Sequence, residues 1–535
     1  MGKRAAELLT PVFLAAGLAA WVVPAHALDG DIAIHDPSTV MVENGRYYTY
    51  GTGAGLPALV SDDGWTWRRA GNLMSSLPGG KAGAAVLARG GENTWAPDVI
   101  RVGEKVFVYY SAPATQPRSA IGLMVGRTLD PESPDYKWED AGPVVWSDGV
   151  EDLNAIDPGV LMGPDGRMWL VYGSYFGYIK LVELDPRTGL RRYPDRAPFN
   201  VAINSEAAIL IHRDGWYYLL VTHGSCCQGA NSTYNIRMGR SRKVTGPYLD
   251  NMGVDMVEGG GKLFAASRGR HVGPGHFGLL DLGDGVEKFS LHYEADLDRG
   301  GISVLDIRPL LWRDGWPVAG DNLVAGTFTL ESARTGTVLE LAVQGHPVGG
   351  FRQRRGGPPG SGIVASAPPS AGSPSTNPPP SGPPQGPPPG PPPGFNQPGP
   401  PIPDQDPAQV AMNWPANADV RLAPAMLQAQ QKWVIAPVAN AGGYPGAPYY
   451  RITIAGTERS LTATNERELT TRSFTGAAEQ LWRIDQLTDG TWRLMPKIVP
   501  GSSEAWALSA VGSSMPTLAR FDPASDRQRW KLGAP

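Results

Sequence analysis

The chain has 535 residues, too many for one average domain, and only 18% of them are charged. A formal charge of −4, with no basic run beyond "FRQRR" at 351–355, excludes nucleic acid as a partner. With 68 Gly, 52 Pro and 16 Trp, the composition favours turns and short strands over long helices.

At the N-terminus Lys3 and Arg4 precede the apolar run "LLTPVFLAAGLAAWVVP", and "AHA" at 25–27 has the small-x-small form of a cleavage site. Residues 1–27 therefore read as a signal peptide. Cleavage after Ala27 removes Lys3, Arg4 and Glu7 and takes the formal charge from −4 to −5. No later run is apolar enough to span a bilayer, so the product is expected to be secreted or periplasmic, with no membrane association once cleaved. The two cysteines, Cys226 and Cys227, are adjacent. A long-range disulfide framework is impossible, and the sequence leaves open a vicinal disulfide or two thiols.

Between 28 and 320 helical periodicity is nearly absent, and one phrase keeps returning. Asp36, Asp98, Asp157, Glu206 and His276 each stand at the head of a strand-like run. A turn ("ENGRYY", "PDGRMW", "RDGWYY") and an aromatic-rich strand commonly follow. Asn-Gly and Asp-Gly between such runs are strong hairpin signals. Five repeats of roughly 50–70 residues predict a five-bladed β-propeller over 28–321. "SDDGWTW" at 61–67 is one residue short of an Asp-box and is expected at a hairpin tip of the first blade.

In a propeller the first strand of each blade lines the axis, so Asp36, Asp157 and Glu206 are expected to converge although they are far apart in sequence. Crowded carboxylates resist joint ionisation. That suits glycosidic bond hydrolysis, where one carboxylate activates water and another keeps its proton for the leaving oxygen. The chain has no G-x-S-x-G elbow, H-E-x-x-H, P-loop or EF-hand loop.

"HDPS" (35–38), "TWAPDV" (94–99), "NAIDPGVL" (154–161), "GSYF" (173–176), "SEAAIL" (205–210) and "GPGH" (273–276) stand in the order that resembles glycoside hydrolase family 43. The resemblance spans 29–320, and "CCQGANSTY" (226–234) resembles its arabinan endo-1,5-α-L-arabinosidase group. It implies inverting hydrolysis of α-1,5-linked arabinan or a related plant cell-wall polysaccharide. Asp36 would be the general base, Glu206 the general acid, and Asp157 the carboxylate that tunes and positions the acid. His276 would be the axial histidine that holds calcium or another small ion, often through water. Trp95 would be a sugar-stacking platform, with His35, Asn154, Ser174 and Phe176 as further substrate contacts. Two departures bear on subsite shape: "GSYFGYI" lacks the usual Trp and Ser-Gly pair, and Ala207 follows the acid where Gly or Pro is common. Rival readings are an exo-acting arabinofuranosidase or β-xylosidase on the same scaffold, and a non-catalytic glycan-binding protein. A monomer is expected.

Composition changes near 350. Residues 358–407 hold 21 prolines in 50 positions, too few apolar side chains for a core. Around this stretch Gln431-Lys432-Trp433, Gln480-Leu481-Trp482 and Gln528-Arg529-Trp530 recur at intervals of 49 and 48, which resembles a ricin-type β-trefoil. Opening strands are visible for the second repeat (449–463) and the third (491–510). The first repeat finds its opening only at 326–342, before the prolines. The expectation is thus an all-β protein: a five-bladed propeller, then a trefoil over 322–535 interrupted by a disordered proline-rich loop at 350–408. The resemblance implies glycan binding by the trefoil, with its Trp residues structural.

Overall fold

Four-stranded antiparallel sheets, each with its strands in sequence order, recur five times between Met41 and Ala319. The computed structural model describes residues 28–342 and 420–535, except 151, 466, 513 and 514. The expected signal peptide 1–27 and the proline-rich stretch 350–408 lie outside the described residues. The innermost strands of the five blades are Met41–Glu43, Trp95–Val102, Gly159–Met162, Glu206–Arg213 and His271–Asp281. Among the described residues, helix is limited to Ala84–Leu87 and single 3-10 turns, and no helix is long and apolar enough to cross a membrane.

The hairpin signals read from sequence work through backbone handedness. Asn44-Gly45, Asp214-Gly215 and Asp314-Gly315 have positive φ at both residues, the conformation whose twist matches flanking antiparallel strands. Apolar residues then pack between neighbouring blades. Tyr48, Tyr50 and Val60 of the first meet Val99, Val108 and Tyr110 of the second. Ile209, Leu220 and Met238 of the fourth meet Phe277 and Phe289 of the fifth. The ring is closed by the N-terminal segment: Asp29–Gly30 pairs in parallel with Thr66-Trp67 of blade one, and Leu305 of blade five donates its N–H to Ile32 O at 2.9 Å.

The second unit is a β-trefoil. Six strands form its barrel: Gly326–Ser332, Trp433–Pro437, Tyr450–Ile454, Trp482–Gln486, Trp492–Pro496 and Trp530–Gly533. Three hairpins cap it, and the Gln-x-Trp repeat explains their symmetry. Trp433, Trp482 and Trp530 are fully buried, and their indole N–H groups donate to Leu339 O, Leu461 O and Leu508 O, one in each hairpin. The glutamines clamp the chain leaving each hairpin, with Nε2 donating to Pro424 O, Ser473 O and Arg520 O. In the first repeat the hairpin strands are Val338–Leu341 and Val420–Ala423, in register Val338 to Ala423. The segments on either side of residues 343–419 are therefore two arms of one hairpin.

The trefoil seats on the propeller end opposite Asp36. Each innermost strand runs from the Asp36 end to its hairpin turn, so Asn44-Gly45 and Asp284-Gly285 mark the far end. It is there that Thr488 N–H donates to Gly285 O, Trp312 N–H to Thr488 O and Gly446 N–H to Gly64 O. The Asp63 carboxylate accepts Gly443 N–H, so the Asp-box-like turn, a hairpin tip as expected, is part of the junction. Asp485 is wholly buried there with Arg483 at 2.6 Å and Arg493 at 3.6 Å, and burial pushes nearby Lys288 down to about 8.

Candidate active site

Five residues without a glycine's freedom take left-handed backbone angles at the mouth, one per blade: Asp36 (φ 49°), Ala96 (39°), Asp157 (56°), Ala207 (49°) and His276 (55°). Each costs about 1–3 kcal/mol and persists only where surrounding structure fixes it. In three blades the angle coincides with a register shift, between Trp95 and Asp98, Glu206 and Ile209, and Gly275 and Gly278. Such bulges re-aim side chains. They also correct the repeat: Ala96 and Ala207, not Asp98 and Glu206, are equivalent to Asp36. Glu206 stands one residue earlier and Asp98 two later. Asp98 consequently turns between blades, accepting Thr39 N–H at 3.1 Å and Val160 N–H at 2.9 Å, as a strap from blade one to blade three.

Asp36 is nearly buried. Its carboxylate accepts the Thr52 hydroxyl and lies 2.8 Å from His35 Nδ1 and 3.0 Å from His276 Nδ1. Its N–H donates to His292 Nδ1 at 2.8 Å. Burial alone would raise its pKa, but His276 and His35 hold it well below the usual carboxylate range. Glu206 is set the other way: burial raises it, against hydroxyls of Tyr234 on Oε1 and Ser174 on Oε2, the latter at 2.8 Å. Asp157 is also raised by burial; His276 opposes this, and the charges of Glu206 and Asp36 add to it. Its Oδ2 accepts the N–H of Ala207 at 3.1 Å, so Asp157 grips the backbone just past Glu206. Two carboxylates thus have environments that push their pKa values apart, the pattern of an acid and a base.

The other expected residues divide. Trp95 is half-buried and precedes Ala96, whose N–H donates to the Thr52 hydroxyl beside Asp36. Phe176 is 48% exposed on the loop after Ser174, and neighbouring Tyr175 donates to Gly224 O across to the next blade at 2.7 Å. Ser174 reaches Glu206 and is buried, so it supports the acid. Asn154 is the correction: it has no exposed surface for a sugar, and its Oδ1 accepts from Ser119 at 2.8 Å, bracing the loop before Asp157. The cysteines form a vicinal disulfide, and the N–H of Cys227 donates to Glu294 at 2.9 Å. A cavity of about 280 Å³ adjoins His35, lined also by Thr52, Arg69 and Ser303.

Four residues at this site were not picked out from the sequence: Thr52, Tyr234, His292 and Glu294. The last two had a signal, since "SLHYEAD" places two polar groups on one face of a strand whose residues from Lys288 on are all buried. Among the described residues His35, Asp36 and His292 are close enough to hold a metal. Within that trio His35 Nδ1 faces the Asp36 carboxylate and His292 Nδ1 accepts the Asp36 N–H, and Cys227 of the neighbouring cluster is in the disulfide. At His276 the donor set is one ring nitrogen, Nε2, buried and without a partner. Among the described residues no cluster of three ligands includes His276, so a small ion there would take its remaining ligands from water.

A five-bladed propeller with buried carboxylates split in pKa at its axial mouth defines a glycosidase-type site. Comparison of the sequence with known families gives the same answer: residues 31–317 match Glycosyl hydrolases family 43, and the chain belongs to that family. Residues 429–514 match the ricin-type beta-trefoil lectin domain-like family. The chain is 35% identical over 305 residues to an extracellular exo-α-(1→5)-L-arabinofuranosidase of Cellvibrio japonicus, covering 54% of this chain and 86% of that one. It is 33% identical over 324 residues to extracellular endo-α-(1→5)-L-arabinanase 1 of Bacillus subtilis, covering 57% and 96%. A crystal structure of an exo-1,5-α-L-arabinanase from a bovine ruminal metagenomic library superposes with a TM-score of 0.50 at 37% identity, over 54% of this chain and 96% of that one.

Proposed function

We propose that this protein hydrolyses α-1,5-linked arabinan with inversion at the anomeric carbon. Asp36 is the general base: ionised, it takes a proton from the attacking water. Glu206 is the general acid, kept protonated by burial until it gives its proton to the leaving oxygen. Asp157 positions the acid through Ala207 N–H and is the carboxylate read as tuning it. Trp95, His35 and Phe176 supply the sugar-facing surface. The observation that carries this reading is the opposite setting of Asp36 and Glu206 in one mouth.

The domain division that goes with it is a signal peptide at 1–27, a catalytic propeller at 28–321 and a trefoil at 322–535. Export accords with the extracellular names of the two relatives, and the enzyme is read as a monomer. A calcium ion, when bound, would be held by His276 and would add positive charge near the three carboxylates. The trefoil would hold a glycan. The relatives' names include both endo and exo action, and endo action is the reading preferred here on the resemblance of "CCQGANSTY".

Reducing ends released from debranched linear arabinan, with chromatography of early products, test the proposal. Mixed short oligosaccharides support endo action; arabinose alone moves the enzyme to the exo class. Asp36→Asn and Glu206→Gln must each abolish turnover while the fold persists by circular dichroism. Substantial residual activity in either overturns the roles. The first-formed anomer, read by proton NMR, must be inverted.

A further inference from the structure

Glu294 is a carboxylate with 2% of its side chain exposed, in a mouth that already holds three others. Burying such a group is costly unless it is paired. Two of its partners lead to Asp36. Oε1 stands 3.0 Å from His35 Nε2, while the other nitrogen of that ring, Nδ1, is 2.8 Å from Asp36 Oδ2. A neutral imidazole has one N–H, so only the imidazolium donates to both carboxylates. The same Oε1 lies 3.5 Å from Nε2 of His292, whose Nδ1 accepts the backbone N–H of Asp36. That bond fixes the His292 proton on Nε2, facing Glu294. One carboxylate therefore hydrogen-bonds the ring that holds the side chain of Asp36 and faces, at ion-pair distance, the buried Nε2 of the ring that holds its left-handed backbone. Its second oxygen accepts Cys227 N–H and ties the pair to the disulfide loop.

We propose that Glu294 is a positioning residue for the hydrolysis, fixing the carboxylate of Asp36 through His35 and its backbone through His292. This rests on the reading of Asp36 as the base. The charged and titratable groups around His35 are Asp36, Glu294, His292 and His276, with Arg69 across the adjoining cavity and itself paired to Asp31 at 2.9 Å. Burial alone would lower the pKa of His35, but the two carboxylates on its ring outweigh this and push it up to about 10.

The test is a histidine NMR titration of the full chain together with steady-state kinetics on linear arabinan. In the wild type the His35 signal, assigned by its loss in His35→Asn, should remain that of an imidazolium through pH 8. In Glu294→Gln the carboxamide still accepts from the ring but carries no charge. The His35 midpoint should fall by at least about one pH unit, a tenfold loss of proton affinity. kcat should fall about tenfold to a hundredfold from a misaligned base, with KM within about threefold. Glu294→Asp should recover part of both. A wild-type His35 that titrates below pH 7 overturns the proposal, and that result needs no variant to fold. So does a folded Glu294→Gln with unchanged midpoint and kcat. An active Asp36→Asn would instead remove the base assignment, while the His35 titration would still report the contact with Glu294.

Discussion

Replacing Tyr234 by Phe removes one hydroxyl and should change the pH dependence of the reaction more than its maximum. Tyr234 donates to Oε1 of Glu206, and the stacked pair it makes with His292, 6.3 Å between ring centres, survives in Phe. The hydroxyl favours the ionised carboxylate, so its loss raises the pKa of Glu206, which burial already raises. A hydrogen bond to a charged group contributes about 1.5–3 kcal/mol. At 1.36 kcal/mol per pH unit this is a rise of about 1–2 units, with the lower end favoured because Ser174 still serves Oε2. A general acid must be protonated to act, so the alkaline limb of kcat/KM should move to higher pH by that amount. The acid limb, set by Asp36, should stay. Initial rates on a linear arabino-oligosaccharide from pH 4 to 10 would measure the alkaline limb, the acid limb lying below that window because Asp36 is held well below the usual carboxylate range. An alkaline limb that stayed in place, or moved down, would refute the assignment of Glu206 as the acid held by this hydroxyl.

Asp36→Asn should lower kcat by about 10²–10⁴, the usual range for a lost general base. Because the native pKa of Asp36 is depressed, its ionised form contributes stability that is present above the unfolded value of 3.8 and lost as pH falls through the folded one. Acid titration monitored by fluorescence should therefore show a smaller loss of stability for Asp36→Asn below about pH 4. Asp98→Ala removes both straps to Thr39 and Val160 and should cost about 3–6 kcal/mol in chemical denaturation, at about 1.5–3 for each bond to the charged group. Asp485→Ala leaves Arg493 and Lys288 buried, and Arg483 half-buried, without their anion and should cost about 3–5 kcal/mol. Turnover by the folded fraction should be unchanged, since this cluster lies at the propeller's far end.

The number of blades, their turns and the placement of the first trefoil arm before the prolines were legible because each depends on local chemistry. Asn-Gly and Asp-Gly set the handedness of hairpins, and Gln-x-Trp repeats at the spacing of a trefoil unit. The three carboxylates were legible as a group for the same reason. Their register was not. Ala96 and Ala207 occupy the positions equivalent to Asp36 because bulges insert a residue, and an alanine in a left-handed conformation leaves no mark in sequence. Asn154 misled because its neighbourhood to Asp157 in the chain says nothing about which way its side chain turns. Glu294 and His292 are some 260 residues from Asp36 and meet it only because the ring closes blade five upon blade one.

That closure, and the seating of the trefoil, decide how the two units could cooperate. The trefoil contacts Gly64, Asp284, Gly285 and Trp312, all at the far ends of their strands, and its described residues share no hydrogen bond with those around Asp36 or Glu206. Among the described residues it adds no wall to the catalytic mouth. A glycan held by the trefoil would therefore be a different stretch of polymer, or a different chain, from the one being cut. Its effect would be one of effective concentration, in which a second contact keeps the enzyme near its substrate between turnovers. Such a gain depends on long or insoluble chains and vanishes for oligosaccharides too short to reach both ends of the propeller. Among the described residues, the walls beside the acid on which endo or exo action would depend come from propeller loops, such as the one where Tyr175 bonds Gly224.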